Sequence, residues 1–209
     1  MVVALLGVRW EYKAEFFIKS NVCCRALGRM FSHSTASRLL PESLGGYTVG
    51  VLVQSNFGGV LQIDGMNIGE KMEHFSFSNE LLNNVDGSCM IVVATDAPLD
   101  SRNLERLAKR AFLGLAKTGG IASNGSGDYI IAFSTAEGLR IPYKIETPLL
   151  SRQVVPNDRM SPLFMATIEA TEEAIINSLF VAETMTGFEG RTIKKLPVEK
   201  VLEMMEERK

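Results

Sequence analysis

The clearest hydrophobic pattern begins at Tyr47, directly after the turn signal Gly45-Gly46. Tyr47, Val49, Val51 and Val53 alternate with Thr48, Gly50, Leu52 and Gln54. Both sets are largely apolar, which predicts a strand covered on both faces. Residues 60–63 and 66–68, joined through Asp64-Gly65, predict a short hairpin. Residues 71–84 are polar and rich in Ser and Asn, the composition of an exposed loop. The run CMIVVAT at 89–95 predicts a buried strand, entered from Asp86-Gly87-Ser88 and ended by Pro98. Beyond a cap at Asp100 or Ser101, the apolar positions Leu104, Leu107, Ala108, Ala111, Phe112 and Leu115 share one helical face. Gly119-Gly120 closes that helix. A small-residue loop, ASNGSG at 122–127, leads into the strand YIIAF at 129–133. Ser161-Pro162 signals a cap and first turn of a long helix towards Met185, ended by Gly187. Residues 197–209 predict a final short amphipathic helix. Residues 1–33 follow neither period and predict no element. Strands alternating with helices imply a layered α/β protein.

Composition narrows the function. The chain has 209 residues, 46% hydrophobic and 22% charged, with a net charge of -2. That suits one globular domain over 1–209 and excludes disorder. It offers no basic excess for nucleic acid or an anionic membrane. The apolar start MVVALLGV is too short to span a bilayer and lacks signal-peptide features. Three cysteines, Cys23, Cys24 and Cys89, form neither a disulfide framework nor a CxxC metal pair, so a cytoplasmic location is expected. The two histidines, His33 and His74, sit in no metal or triad motif. Lys117-Thr118 lacks the Gly that a P-loop needs before its Lys, since Ala116 stands there. Gly125-Ser126-Gly127 fails the nucleophile-elbow spacing.

Three local features remain. At Gly87-Ser88 a hydroxyl follows a glycine at the mouth of a buried strand. Without a Cβ, the glycine allows strained backbone and lets the Ser88 hydroxyl approach the preceding carbonyl. An N→O acyl shift and cleavage there would leave Ser88 with a free α-amine, reference pKa about 7.7–8.0. That amine is a usable general base on the nucleophile's own residue. Ser126 and Asp128, two apart at the entrance of another strand, can point the same way, the carboxylate orienting a proton-relaying hydroxyl. Asn56, ahead of Phe57-Gly58-Gly59, can serve as an oxyanion donor. Each also reads plainly: a Gly-Ser turn, a glycine turn with a local Asp acceptor, a strand-ending Asn. Cys89 reads as a small buried strand residue.

Five blocks decide between these readings. LLPESLGGYTVGVLVQSNFG at 39–58, DGSCMIVVATDAPL at 86–99, GGIASNGSGD at 119–128, AFST at 132–135 and NSLFVAETMTG at 177–187 resemble, in order, the self-processing L-aminopeptidase/D-esterase family of serine hydrolases, which includes the β-aminopeptidases. The resemblance implies a four-layer αββα sandwich like N-terminal-nucleophile hydrolases but with different connectivity. It also implies self-cleavage between Gly87 and Ser88 into an α chain and a β chain, here 35–87 and 88–209. Ser88 matches the nucleophile, Ser126 the second catalytic Ser, Asp128 the acid that orients it, and Asn56 the oxyanion-hole amide. Met185 and 182–184 match the last helix of the pattern, a packing role. No cofactor or metal is implied. The partners implied are small peptide, amide or ester substrates and further copies in a homo-oligomer, with no nucleic acid and no membrane.

Family members carry a long segment before the first block, supplying sheet strands, an oxyanion-hole Tyr and much of the pocket for the substrate's amino group. Only 38 residues precede the block here, and 1–34 is unmatched apart from a trace at 33–38. The chain therefore reads as a member truncated at its N-terminal side. The function expected is an aminopeptidase acting through an acyl-enzyme on Ser88. The alternative is an inactive remnant that works, if at all, through assembly. A related acyltransferase group uses a Thr nucleophile, and Ser88 argues against it.

Overall fold

The structure is a computed structural model that describes residues 2–6, 32–73, 87–145, 147–190 and 192–207. Its centre is a five-stranded sheet built from β1 (Val2–Leu6), β2 (Ser32–Leu39), β3 (Thr48–Asn56), β6 (Ser88–Thr95) and β7 (Tyr129–Ser134), in the order β1-β7-β6-β3-β2. The β2–β3 and β3–β6 pairs are antiparallel, and β6–β7 and β1–β7 are parallel. Two-residue strands β4 (Gln62–Ile63) and β5 (Met66–Asn67) form the hairpin read from the sequence. Asp64 and Gly65 both take positive φ, as its tight turn requires.

Strict alternation sets the packing. Val49, Val51 and Val53 of β3, Cys89, Ile91 and Val93 of β6, and Ile130 and Ala132 of β7 are buried on one face. Helices α2 (Ser101–Lys117) and α3 (Ser161–Phe180) cover that face with Leu104, Leu107, Leu115, Leu163, Ala170 and Ile175. Asp100 caps α2, its Oδ1 accepting the Asn103 N–H at 2.8 Å. Gly114 lets the helices approach, since a Cβ there would lie 2.6 Å from Thr171 Cβ. Arg38 of β2 reaches over to Glu169 and Glu173 of α3.

Several expectations change. The strand at 48–56 is covered on one face only among the described residues. Leu52, Val92 and Ile131, on the opposite face, are half-buried, and Met90 is 38% exposed. One helical layer and one sheet of the four-layer arrangement are therefore present in the described residues. The long helix stops at Phe180, and Met185 lies instead in β8 (Met185–Thr186), paired antiparallel with β9 (Thr192–Ile193). Glu189 and Gly190 supply the left-handed backbone that turns this ribbon, so 182–184 are connector and not helix. Ser161 caps nothing: the 3-10 turn at Asn157–Arg159 runs into α3, which is entered at Met160. Phe112 lies at the rim of the α2 face, 39% exposed. The expected loop at 71–84 begins after α1 (Ile68–Lys71), and its residues from His74 on, like Cys23 and Cys24, lie outside the described residues. The last helix is α4 (Val198–Glu206). Among the described residues no helix is long and apolar enough to cross a membrane, and no group of three or more His, Cys, Asp or Glu could hold a metal.

Candidate active site

All five sequence-derived residues meet at one end of the sheet. Asn56 ends β3 and Ser88 begins β6, and the antiparallel register sets them directly opposite each other. Gly87 precedes Ser88. Ser126 and Asp128 sit on the loop entering β7, the parallel neighbour of β6. The buried alternation fixes this register, because a one-residue slip would turn Val53 and Ile91 out of the core. Asn56 and Ser88 are thereby held on the face away from the helices.

Ser88 Oγ donates to the Gly87 carbonyl at 2.7 Å and accepts the Gly127 N–H at 3.1 Å. The hydroxyl thus lies against the carbonyl that a self-cleaving serine would attack. The missing Cβ of Gly87 is demanded by close approach, as a Cβ would fall 2.4 Å from Asn56 O and 2.8 Å from Phe57 Cα. Tight packing against the end of β3 is thus a second reason for a glycine here.

Asp128 links the two halves of the site. Its Oδ1 accepts the Cys89 N–H at 2.7 Å, and its Oδ2 accepts the Ser126 hydroxyl at 2.7 Å. One carboxylate therefore anchors the nucleophile strand and orients the second serine. Ser126 is steadied by its own N–H, which donates to Ser123 O at 2.8 Å. The Asn56 side-chain amide makes no hydrogen bond among the described residues and remains available as a donor.

Cys89 is fully buried beside the nucleophile. Burial, reinforced by the Asp128 charge, pushes its thiol up to about 12. It stays protonated and is no rival nucleophile. Sequence reasoning missed the Gly127 amide as a contact to Ser88 Oγ. The glycine between two candidate residues was the available signal: a Cβ there would lie 3.4 Å from that oxygen.

Residues 33–193 match peptidase family S58. The chain belongs to this family. It is 39% identical over 197 residues to beta-peptidyl aminopeptidase BapA of Sphingosinicella microcystinivorans, covering 88% of this chain and 49% of that protein. Among solved structures, it is similar to the PH0078 protein of Pyrococcus horikoshii OT3 (43% identity, TM-score 0.73, 88% of this chain and 49% of that one). The L-aminopeptidase D-Ala-esterase/amidase of Ochrobactrum anthropi is also similar (32% identity, TM-score 0.73, 87% and 49%). That protein is described as a prototype of the serine aminopeptidases and a variant of the Ntn hydrolase fold. The fold class of the S58 chain is thus the α/β class of N-terminal-nucleophile hydrolases, as the sequence blocks implied. The chain spans about half the length of the relatives it matches.

Proposed function

We propose that this chain is a self-processing serine aminopeptidase that releases N-terminal amino acids from small peptides, amides or esters. The observation that carries the reading is Ser88 Oγ, held between the Gly87 carbonyl and the Gly127 N–H. In self-processing, Ser88 Oγ bonds to the Gly87 carbonyl carbon, the Gly87–Ser88 C–N bond breaks, and the hydroxyl proton ends on the departing nitrogen. Water then hydrolyses the ester, leaving a Gly87 carboxylate and a Ser88 with free hydroxyl and free α-amine.

In catalysis the freed α-amine takes the proton as Ser88 Oγ attacks a substrate carbonyl, and then returns it to the leaving amine. Water, deprotonated by the same amine, releases the acyl group. The Asn56 amide, opposite Ser88, donates to the developing oxyanion, a contact typically worth about 10²–10³ in rate. Asp128 holds the Ser126 hydroxyl in place to relay the proton.

The intact mass of the purified protein tests this. Apportioned by length, 87 and 122 residues of a 23.0 kDa chain, self-cleavage yields pieces of about 9.6 and 13.4 kDa, the larger starting at Ser88. Ser88→Ala leaves one uncut species and no hydrolysis of an amino-acid p-nitroanilide. An uncut parent chain, or a Ser88→Ala variant that still cleaves itself, refutes the proposal.

A further inference from the structure

Beyond Asn56 the chain leaves β3 and crosses the end of α2. There the Val60 N–H donates to Gly119 O at 3.2 Å and the Gln62 N–H to Thr118 O at 3.1 Å. Gly59 and Gly120 form an isolated antiparallel bridge. The two segments lie closer than side chains permit. A Cβ on Gly59 would overlap Gly119 O and stand 2.9 Å from Gly119 C; one on Gly119 would overlap Val60 O and stand 2.6 Å from Val60 C. Each glycine thus yields its side-chain space to the other segment's backbone. Thr118 fastens this clasp to the helix: it is buried, and its hydroxyl donates to Leu115 O at 2.7 Å. Leu115 is itself part of the core.

Both segments also reach the candidate reacting groups. On one side, Asn56 opposes Ser88 in the β3–β6 register, and Gly87 packs on Asn56 O and Phe57 Cα. On the other, the chain from Gly120 runs through Ser126 to Asp128, whose Oδ1 accepts the Cys89 N–H. Contacts and chain therefore close a circuit through Ser88, Asn56, Gly59, Gly119, Asp128 and Cys89. It is held at two points, the start of β6 and the clasp. With the first alone, 57–60 and 120–127 could shift against each other; the clasp removes that freedom. Asn56 has no side-chain hydrogen bond among the described residues, so its amide is placed by the backbone on either side.

We infer that Gly59 and Gly119 are positioning residues: their clasp sets how the Asn56 amide and the Ser126–Asp128 loop approach Ser88. The inference rests on the hydrolase reading for what those groups do, and goes beyond it by placing control of their geometry at two glycines that carry no reacting group.

Gly59→Ala is the test. Gly50→Ala on β3, whose Cβ would meet open space, is the control. Amide exchange is followed by NMR, and hydrolysis of an amino-acid p-nitroanilide is measured per self-cleaved chain. In Gly59→Ala the Cys89 and Gly127 N–H groups, which bond to Asp128 and Ser88, exchange roughly tenfold faster, while the amides at 49–53 and 91–93 keep parental rates. Turnover falls about a hundredfold with KM unchanged, as for an arrangement that matters only in the transition state. Gly50→Ala moves neither reading. If Gly59→Ala does not fold, Thr118→Val takes its place. It removes only the hydroxyl bond to Leu115 O, which still accepts the Thr118 and Gly120 N–H groups. It lowers turnover roughly two- to tenfold with the same selective loss of protection. A folded variant with parental exchange and turnover overturns the inference. So does exchange that quickens equally throughout the sheet, or a raised KM at parental kcat. A parent chain that never cleaves itself, yet shows the selective loss of protection in its variant, keeps the clasp and loses the hydrolase reading. A self-cleaving, active chain whose variant stays parental in both loses the clasp alone.

Discussion

Replacing Gly87 by Ala adds one methyl group at the most crowded point of the site. Its Cβ would stand 2.4 Å from Asn56 O and 2.8 Å from Phe57 Cα. Both obstacles are backbone, so no side chain can swing aside. Relief to ordinary contact distance requires about 1 Å of separation between the end of β3 and the entry to β6. The 2.7 Å contact between Ser88 Oγ and the Gly87 carbonyl lies on that junction. A displacement of about 1 Å at reacting atoms costs on the order of a hundredfold in rate. The strain itself costs about 1–3 kcal/mol of stability, because the clash sits at the end of the sheet and not in its centre. The assay is a time course of intact mass on freshly purified protein, with circular dichroism to show that the variant is folded. Self-cleavage slows about a hundredfold in Gly87→Ala. Gly127→Ala is the control, because its methyl would meet Ser88 Oγ at 3.4 Å, an ordinary contact. It slows less than tenfold. A folded Gly87→Ala chain that cuts itself at the parental rate would refute the claim that close packing at Gly87 sets the reactive geometry.

Asp128→Ala leaves the Cys89 N–H without its acceptor and frees the Ser126 hydroxyl, lowering stability by about 1–3 kcal/mol in urea unfolding; Asp128→Asn keeps an acceptor for that N–H and loses less, so equal losses would contradict the anchoring role. Cys89 holds its proton more tightly when folded than when unfolded, its thiol being raised from 9.0 to about 12; its contribution is therefore complete below pH 9 and is lost as pH rises from 9 towards 12. Cys89→Ala flattens that alkaline decline, and an unchanged pH profile would contradict the assignment. Gly114→Ala brings a Cβ within 2.6 Å of Thr171 Cβ and 2.7 Å of Ile168 O; overpacking of about 1–3 kcal/mol offsets or exceeds the roughly 1 kcal/mol of helix propensity gained, so the urea midpoint does not rise, and a clear increase would show that the helices can part freely.

Much of this arrangement was legible because its signals are local. The alternation at 47–54, the run at 89–95 and the 3,1,3,1,3 spacing of α2 each depend on burial against one partner surface, and each element formed within two residues of its pattern. The candidate site residues were singled out locally, as hydroxyl, carboxylate and amide groups at the mouths of buried strands, but their roles came from the resemblance of the five blocks and not from local pattern. What the pattern did not carry was non-local. The chain leaves α3 at Phe180 and enters the β8–β9 ribbon, whose turn depends on Glu189 and Gly190 several residues beyond the last helical turn. The apolar residues on both faces of β3 predicted two covers, whereas the described residues provide one. The close packing at Gly87 was not legible, because a sequence shows a glycine but not the Asn56 carbonyl pressed against it. The 3-10 entry to α3 was hidden for a related reason: Ser161-Pro162 is a good start signal, and the turn before it supplies the start instead.

The site's geometry follows from the sheet's buried face. Asn56, Ser88 and the 126–128 loop belong to three strands that sit side by side as β3, β6 and β7 although 30 or more residues separate them in sequence. Each strand is positioned by residues facing the helices: Val53 in β3, Ile91 in β6, Ile130 in β7, all at most 4% exposed. These residues hold no functional group, yet they set which hydroxyl opposes which amide, because strand register is indivisible below one residue. The Asp128 carboxylate then ties the loop before β7 to the second residue of β6, converting parallel pairing into a fixed approach of Ser126 towards the nucleophile strand. The five candidate residues therefore depend on the helix-covered sheet through its strands β3, β6 and β7. A core substitution such as Ile91→Ala, which costs about 2–5 kcal/mol, acts on this site through register and packing alone, without removing any group that takes part in the chemistry.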